Sequence, residues 1–91
     1  MHCFVTAGPT IEPIDDVRRL TNHSTGRLGC RLADTLARAG HRVTLFLAET
    51  AHHQPRHRDI QIIRFNTTAD LRNQLRKATS PTIHAVFHAA A

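Results

Sequence analysis

Short runs of apolar residues divide this chain into segments and predict four β-strands. The runs lie near residues 1–7, 42–47, 60–65 and 85–89, and Val, Ile, Leu and Phe recur in them. These side chains favour strands, and residues 43–47 are apolar enough to be buried on both faces, as in a parallel sheet.

The segment from residue 26 to residue 39 carries apolar side chains at spacings of three and four, which is the period of an α-helix. Gly40 follows it and is the residue type that most often ends a helix. On the polar side, Asp34 and Arg38 have the spacing of an i,i+4 ion pair. The apolar stripe consists of Leu28, Leu32, Ala33, Leu36 and Ala37.

A second helix is predicted over residues 68–79. Thr67 and Asp70 have the spacing of a capping box at its start, and Pro81 lies just beyond its end. Residues 48–59 show no periodicity and are interpreted as a surface loop. The apolar stripe of this helix is narrower and consists of Leu71, Leu75 and Ala78.

The alternation of strands and helices predicts an α/β fold, a Rossmann-like three-layer sandwich with a mainly parallel sheet. Residues 1–91 are interpreted as the N-terminal part of one such domain, incomplete at the C-terminus because the chain stops where the fourth strand would enter its loop. Ligands bind such sheets outside the carboxyl ends of the strands, where the strand order reverses. That point is expected between the first and fourth strands, with the fourth as an unprotected edge.

The most polar part of the chain separates the first strand from the first helix. Residues 8–25 contain acids, arginines, an asparagine and a Ser-Thr pair, and Gly26 opens the helix. A strand, a loop and a glycine at a helix start form the arrangement by which α/β proteins bind phosphate on backbone N–H groups. This loop is far longer than the turn of a dinucleotide-binding fingerprint. We therefore expect it to do more than turn, and we expect an anion over residues 24–27.

The charge of the chain favours a small anionic ligand over nucleic acid. The net charge is +5 and the pI about 11.0, but the cations, all arginine except Lys77, are spread along the whole chain. Phe is the only large aromatic residue type present, so the stacking side chains of nucleic-acid-binding surfaces are nearly absent. Arg18, Arg19 and Arg27 fall within the loop and the helix start.

Neither a membrane span nor a secretory signal is expected. No apolar run approaches the roughly 20 residues that cross a bilayer, and the N-terminus has the pattern of a strand rather than of a signal peptide. Cys3 and Cys30 lack the spacing of a disulfide framework and are interpreted as reduced structural thiols of a cytoplasmic protein. His52, His53 and His57 are interpreted as part of a surface loop rather than a zinc site, and no metal site is predicted.

Motifs in a fixed order fill the first third of the chain. They are Ala7-Gly8-Pro9-Thr10, Glu12-Pro13-Ile14-Asp15, Val17-Arg18, Thr21-Asn22-His23-Ser24-Thr25-Gly26 and Gly29. About twenty positions in order are far more specific than a lone glycine motif. They resemble phosphopantothenate–cysteine ligase, the synthetase half of the bifunctional flavoprotein of coenzyme A biosynthesis. The resemblance extends more loosely to the final His88-Ala89-Ala90-Ala91.

The resemblance implies a ligase that activates the carboxylate of 4′-phosphopantothenate with CTP or ATP as an acyl-nucleotidylate and joins it to cysteine. Magnesium would accompany the nucleotide, and this segment would bind no flavin. Proteins of this kind are usually homodimers, with a phosphopantothenoylcysteine decarboxylase either fused or separate. The family's nucleotide-binding aspartate and catalytic lysine would lie beyond residue 91, so the chain alone is expected to be inactive.

The same resemblance implies roles for residues around the helix start. Asn22 matches the family's catalytic asparagine, which hydrogen-bonds the activated acyl group. Ser24, Thr25 and Gly26 match its phosphate-contacting helix start. Arg27 stands where the family commonly has lysine, and a guanidinium binds phosphate as a planar fork rather than as a point charge.

The resemblance also implies roles for residues at the end of the first strand and in the loop that follows it. Gly8, Pro9 and Thr10 are expected to shape the strand exit near the nucleotide. Asp15 and Arg18 are expected to pair and hold the loop in shape, or to face the substrate anion.

Two further positions are interpreted structurally. Gly29 is expected to let the helix approach the first strand. The residues Ala48-Glu49-Thr50 stand where many family members have a Gly-Pro turn, so nucleotide handling near the second strand is expected to differ.

Two other functions stay open. One is a Rossmann-like module for a dinucleotide or a flavin, which lacks support because the chain has no G-x-G-x-x-G and only Glu49 as an acid near the end of the second strand. The other is a non-catalytic fragment that forms dimers.

Overall fold

Strands and helices alternate along the chain as the hydrophobic pattern predicts. Each predicted strand and helix is present, and its ends differ from the predicted ones by no more than one residue. The computed structural model describes residues 2–9, 11–13, 19–21, 26–78, 83 and 85–90. The elements are β1 (His2–Gly8), β2 (Ile11–Pro13), β3 (Arg19–Thr21), α1 (Arg27–Arg38), β4 (Arg42–Ala48), β5 (Gln61–Phe65), α2 (Thr68–Ala78) and β6 (Ala85–Ala90).

Four strands form one parallel sheet in the order β5–β4–β1–β6. Cys3 of β1 pairs with Val43 of β4 on one side and with Ala85 of β6 on the other. The chain thus builds outward from β1 to β5 and then returns to add β6 on the opposite side of β1. This order confirms the Rossmann-like prediction and puts the switch point between β1 and β6, with β6 at an edge of this sheet.

The segment predicted as a continuous loop contains a short antiparallel hairpin. Ile11 of β2 lies opposite Thr21 of β3, and Pro13 lies opposite Arg19. The prediction of irregular structure is therefore wrong for β2 and β3. Three-residue strands are too short to produce an alternation of apolar and polar residues, and proline indicates a turn more often than a strand.

One apolar layer lies between the sheet and α1. Val5 of β1 and Leu45 of β4 pack with Cys30 and Ala33 of α1, and all four side chains are buried. The helix contributes small side chains to this contact, so its axis can lie close to the sheet.

The other apolar layer lies between the sheet and α2 and is built from large rings. Phe4, Phe46 and Phe65 pack with Leu71 of α2, and the rings of Phe4 and Phe46 meet edge to face with centroids 5.2 Å apart. Burial of one such side chain contributes about 1.5–3 kcal/mol. The two layers together form the predicted three-layer sandwich.

Two buried threonines on the α2 face have histidine partners. Thr44 Oγ1 lies 3.0 Å from Nε2 of His2, and Thr6 Oγ1 lies 3.4 Å from Nδ1 of His88. These contacts satisfy hydroxyl groups that would otherwise cost free energy inside the sheet.

The end of α1 is closed by a glycine, as the sequence predicts. Gly40 has φ +92°, its N–H donates to the carbonyl of Ala37, and the N–H of His41 donates to the carbonyl of Leu36. This pair of bonds is a Schellman motif, which provides donors for carbonyl groups at the helix end that have no intrahelical partner. Of the helices in the described residues, none is both long and apolar enough to cross a membrane.

Candidate functional site

The end of β1 and the start of α1 meet at two glycines, which we call the glycine junction. Gly8 has φ +95° and Gly26 has φ +83°, conformations that L side chains rarely adopt. A Cβ atom on Gly26 would lie 3.6 Å from the Cα atom of Gly8. The chain therefore leaves the sheet at Gly8 and comes back to the same point after residues 9–25.

Small side chains from the segment after β4 close the glycine junction on a third side. A Cβ atom on Gly8 would come within 2.7 Å of the Cβ of Ala48, and one on Gly26 within 3.1 Å of the Cβ of Ala51. Both glycines are buried. The sequence predicts only that residues 48–50 depart from a family turn. Nothing in its pattern singles out Ala51, which closes the segment Ala-Glu-Thr-Ala.

Gly29, in the first turn of α1, fixes the distance between helix and strand. A Cβ atom there would come within 2.3 Å of the Cβ of Ala7 and 3.0 Å of the carbonyl oxygen of Thr6. No side chain fits between the two backbones. This confirms that Gly29 is a packing glycine. It allows the first turn of α1 to lie directly against Thr6 and Ala7 of β1.

The N-terminus of α1 has no capping side chain among the described residues. Its N-cap is Gly26, which makes no side-chain hydrogen bond, and its first turn holds no acidic residue. The first intrahelical bond runs from the N–H of Cys30 to the carbonyl of Gly26, so the N–H groups of Leu28 and Gly29 lie ahead of it. Arg27 and Leu28 are exposed at this end. Such a helix end carries a partial positive charge and attracts anions.

The structure brings together the described members of the predicted site. Gly8 and Gly26 are in contact, Pro9 is buried directly after Gly8, and Arg27 is the first residue of α1. The other predicted site residues lie outside the described residues: Thr10, Asp15, Arg18, Asn22, Ser24 and Thr25. By position, Asn22 directly follows β3 and the Ser-Thr pair directly precedes Gly26.

Cys30 lies behind the helix start but is not a nucleophile. It is buried and free of any disulfide, as is Cys3. Burial, and to a smaller extent the negative charge of Asp34, raise the pKa of the Cys30 thiol above its ordinary value of 9.0, while Arg64 opposes the shift. The thiolate is the reactive form of cysteine, so a raised pKa leaves this thiol inert.

The histidine-bearing segment between β4 and β5 is a loop, as predicted. His52 and His53 are exposed, and His57 is half-buried. Nδ1 of His57 accepts a hydrogen bond of 3.2 Å from the N–H of Asp59. In the described part of the chain, no three His, Cys, Asp or Glu side chains are grouped so that they could hold a metal ion.

Comparison with known proteins identifies the family. A sequence model of the DNA/pantothenate metabolism flavoprotein C-terminal domain matches residues 1–91. The chain belongs to this family. This match confirms the family that the sequence motifs indicate, and the α/β fold of the chain is the fold of its solved relative.

Relatives of this domain occur in larger proteins. The chain is 45% identical over 69 residues, 76% of its length, to a cysteine/cysteine sulfinic acid decarboxylase of an unknown prokaryotic organism. It is 49% identical over 45 residues, half of its length, to the coenzyme A biosynthesis bifunctional protein CoaBC of Escherichia coli K12. The crystal structure of the DNA/pantothenate metabolism flavoprotein from Streptococcus pneumoniae superposes with a TM-score of 0.87 and 36% identity over 100% of this chain.

The chain covers only part of each of these proteins. The match spans 19% of the decarboxylase, 11% of the bifunctional protein and 39% of the S. pneumoniae chain. The activities in their names therefore belong to longer polypeptides.

Proposed function

We propose that this chain is the nucleotide- and acyl-binding N-terminal part of a phosphopantothenate–cysteine ligase domain. The reaction activates the carboxylate of 4′-phosphopantothenate with CTP or ATP, releases pyrophosphate and transfers the acyl group to the amine of cysteine. The observation that carries the proposal is the glycine junction, which holds a helix start with no side-chain cap among the described residues beside the switch point of a parallel sheet, in a member of this family.

Close packing at this junction supports binding of phosphate next to it. Gly8 and Gly26 have no Cβ atoms, so the end of β1 and the start of α1 pack against each other and against Ala48 and Ala51. This packing holds the partly exposed first turn of α1 beside the carboxyl end of β1, and backbone N–H groups at a helix start are a common binding site for phosphate.

Electrostatics support the same ligand. Arg27 is the first residue of α1 and adds its positive charge to the N-terminal dipole, and no acidic residue of the first turn opposes them. A carboxylate becomes a good electrophile only when one oxygen is converted to a phosphate ester, and negative charge builds up as this happens. Oriented N–H donors stabilise such charge without reorganisation.

Asn22 is assigned to the acyl group in this proposal. It occupies the segment between Thr21, which ends β3, and Arg27, which starts α1, so the short hairpin connects it to the proposed phosphate site. Ser24 and Thr25 are assigned to the phosphate, and Pro9 and Thr10 shape the strand exit near the nucleotide. Asp15 with Arg18 holds the loop in shape or faces the substrate anion. Each of these assignments follows the family motif.

The proposal extends to location and assembly. We place the protein in the cytoplasm, as a homodimer that works with a fused or separate decarboxylase. The dimer follows from the family resemblance. Magnesium would arrive with the nucleotide as part of the substrate, and no bound flavin is part of the proposal. Sedimentation velocity over a range of concentrations tests the dimer.

Ligand binding is the first test, because the chain spans only 39% of the solved relative. Thermal unfolding is measured with CTP–magnesium, ATP–magnesium, NAD and FMN. A ligand at 100 times its Kd stabilises the native state by about 2.7 kcal/mol, which raises the unfolding midpoint clearly. We expect this increase with CTP or ATP.

A matched pair of variants locates the binding site. Gly26→Ala and Gly40→Ala place a Cβ at similar positive φ values, +83° and +92°, but only the first meets neighbouring atoms, since Gly40 has nothing within 4 Å. Gly26→Ala should lose the nucleotide-induced shift, and Gly40→Ala should keep it. A shift with NAD or FMN alone would instead favour the dinucleotide or flavin module, and no shift with any of the four would favour the non-catalytic fragment.

Turnover is tested in the longer protein. Asn22→Ala should leave nucleotide binding unchanged and slow amide formation by about 10²–10³-fold, the usual effect of removing one charge-stabilising donor. Normal turnover by this variant would contradict the assignment of Asn22.

A further inference from the structure

A second basic surface runs along the outer side of α1, and we call it the basic groove. Its volume is about 720 Å³, within the roughly 300–1,000 Å³ of small-molecule sites. One wall is α1 and the other is the loop between β4 and β5. Its basic lining residues are Arg27, Arg31 and Arg38 from the helix and His53, Arg56 and His57 from the loop.

The loop wall is fastened to the helix by one carboxylate. Oδ1 of Asp34 accepts hydrogen bonds of 2.9 Å from the backbone N–H groups of both Arg56 and His57, and Oδ2 lies 3.1 Å from the N–H of Arg56. The backbone carrying Arg56 is therefore held opposite the helix before any ligand arrives. Such preorganisation lowers the entropy cost of binding.

The groove concentrates positive charge. Among the described residues that line it, Asp34 is the only carboxylate, against four arginines, and its oxygens already accept the loop N–H groups. Arg27 and Arg31 are also spaced four apart on one helix face, where like charges slightly destabilise an isolated helix. A bound anion would remove that repulsion.

We propose that the basic groove binds the polyphosphate chain of a small molecule. Guanidinium groups bind phosphate oxygens as two-pronged donors. The helix stripe from Arg27 to Arg38 extends about 16 Å at 1.5 Å per residue, a length that suits several linked phosphates rather than one. The described lining is dominated by guanidinium groups, which match phosphate oxygens.

This groove is distinct from the glycine junction. Only Arg27 belongs to both, and Arg38 and Arg56 lie in the groove without taking part in the junction. Substitutions of Arg38 and Arg56 therefore test the groove without changing the proposed ligase site.

The experiment measures binding of inorganic tripolyphosphate by calorimetry at low salt. The wild-type protein is compared with the double variant Arg38→Gln/Arg56→Gln and with Arg72→Gln/Arg76→Gln on α2, which removes the same charge from another exposed surface. We expect the groove variant to bind at least about tenfold more weakly and the α2 variant to bind as the wild type does. Arg31→Gln, in the middle of the stripe, is a second groove variant if the first loses its helical circular dichroism.

Three outcomes would overturn the proposal. They are no tripolyphosphate binding by the wild type, equal weakening by the groove and α2 variants, and equally tight, equally groove-dependent binding of hexaglutamate. A CTP arm identifies the source of the phosphate. If CTP also weakens in the groove variant, the ligand is a nucleotide, and if only tripolyphosphate weakens, it is a polyphosphate without a base. Either result supports the groove, and loss of CTP binding in Gly26→Ala alone reports on the ligase proposal instead.

Discussion

The two helices of this domain start in opposite ways, although each follows a strand of the same parallel sheet. At α2, the N–H of Asp70 donates to Oγ1 of Thr67 over 3.0 Å, and Oδ2 of Asp70 accepts from the N–H of Asn66 over 2.9 Å. At α1, the N-cap is Gly26 and the first turn holds no acid. The N-terminus of α2 is satisfied by side chains of its own first turn and N-cap, whereas the described residues provide no such side chain at the N-terminus of α1.

Under the proposed function, the difference separates a helix start that is purely structural from one that binds a ligand. The connection from β5 to α2 is only Asn66 and Thr67, whereas β1 and α1 are separated by a hairpin and a buried pair of glycines. A side-chain cap and an acid in the first turn would compete with an anionic ligand for the same N–H groups and the same dipole. The start of α1 is thus the feature to test.

The largest expected effect is on the glycine junction itself. Gly8→Ala adds a Cβ at φ +95° and only 2.7 Å from the Cβ of Ala48. Left-handed backbone costs about 1–2 kcal/mol and overpacking about 1–3 kcal/mol, so the free energy of unfolding should fall by about 2–5 kcal/mol in urea. Gly40→Ala carries only the backbone cost, and equal losses in the two variants would show that the junction is not tightly packed.

The next largest effect is expected from a substitution that gives the first turn of α1 an acidic residue, as α2 has. Leu28→Glu places an acid in the first turn of α1 at a side chain that is 71% exposed. It should raise the free energy of unfolding by about 0.3–1 kcal/mol through the helix dipole, yet weaken CTP binding by about fivefold, which is the effect of the roughly 1 kcal/mol of one opposing charge near 4 Å in water.

Leu28→Gln is the matched control, because it keeps the size and polarity of the new side chain without its charge. CTP titrations of the two variants should therefore diverge. Equal affinities would mean that no anion lies over this helix end.

A smaller effect is expected from removing the side-chain cap of α2, so that its start resembles that of α1. Thr67→Ala removes the Oγ1 acceptor and should cost about 1 kcal/mol of stability. Nucleotide affinity should not change, because the start of α2 has no role in binding. A urea titration and a CTP titration of the same variant give both values.

The smallest expected effect is on the stability of the protein at alkaline pH. The pKa of Cys30 is raised by burial, so the folded state holds this thiol proton more tightly than the unfolded state does. The resulting stability is complete below the ordinary pKa of 9.0 and is lost as the pH rises from there through the folded-state pKa. Urea midpoints measured upward from pH 8 should fall less steeply in Cys30→Ala than in the wild type, and identical slopes would contradict the shift.

Local pattern was enough to predict the elements and both kinds of helix end. The four strands and two helices follow from apolar spacing, and the roles of Gly40 and Thr67 follow from residue type at a fixed offset. The packing role of Gly29 was predicted as well, from its place in the first turn of a helix that follows a strand.

Contacts between distant segments could not be predicted in this way. Asp34 was paired with Arg38 on the basis of helix spacing, but its carboxylate accepts backbone N–H groups 22 and 23 residues later. Ala51 against Gly26 is a similar case, because small residues give no sign of what they touch. The hairpin of β2 and β3 was missed because three residues per strand show no period.

The position of β1 in the sheet has a consequence for how the chain folds. His2 meets Thr44 across 42 residues, and Thr6 meets His88 across 82. Each doubling of a closed loop costs only about 0.6 kcal/mol of chain entropy, so the second pairing is hardly harder to hold than the first. The second pairing does, however, form much later. During synthesis β1 leaves the ribosome well before β6, so one edge of β1 stays unpaired until β6 has been made, and a domain rich in such long-range pairings folds slowly.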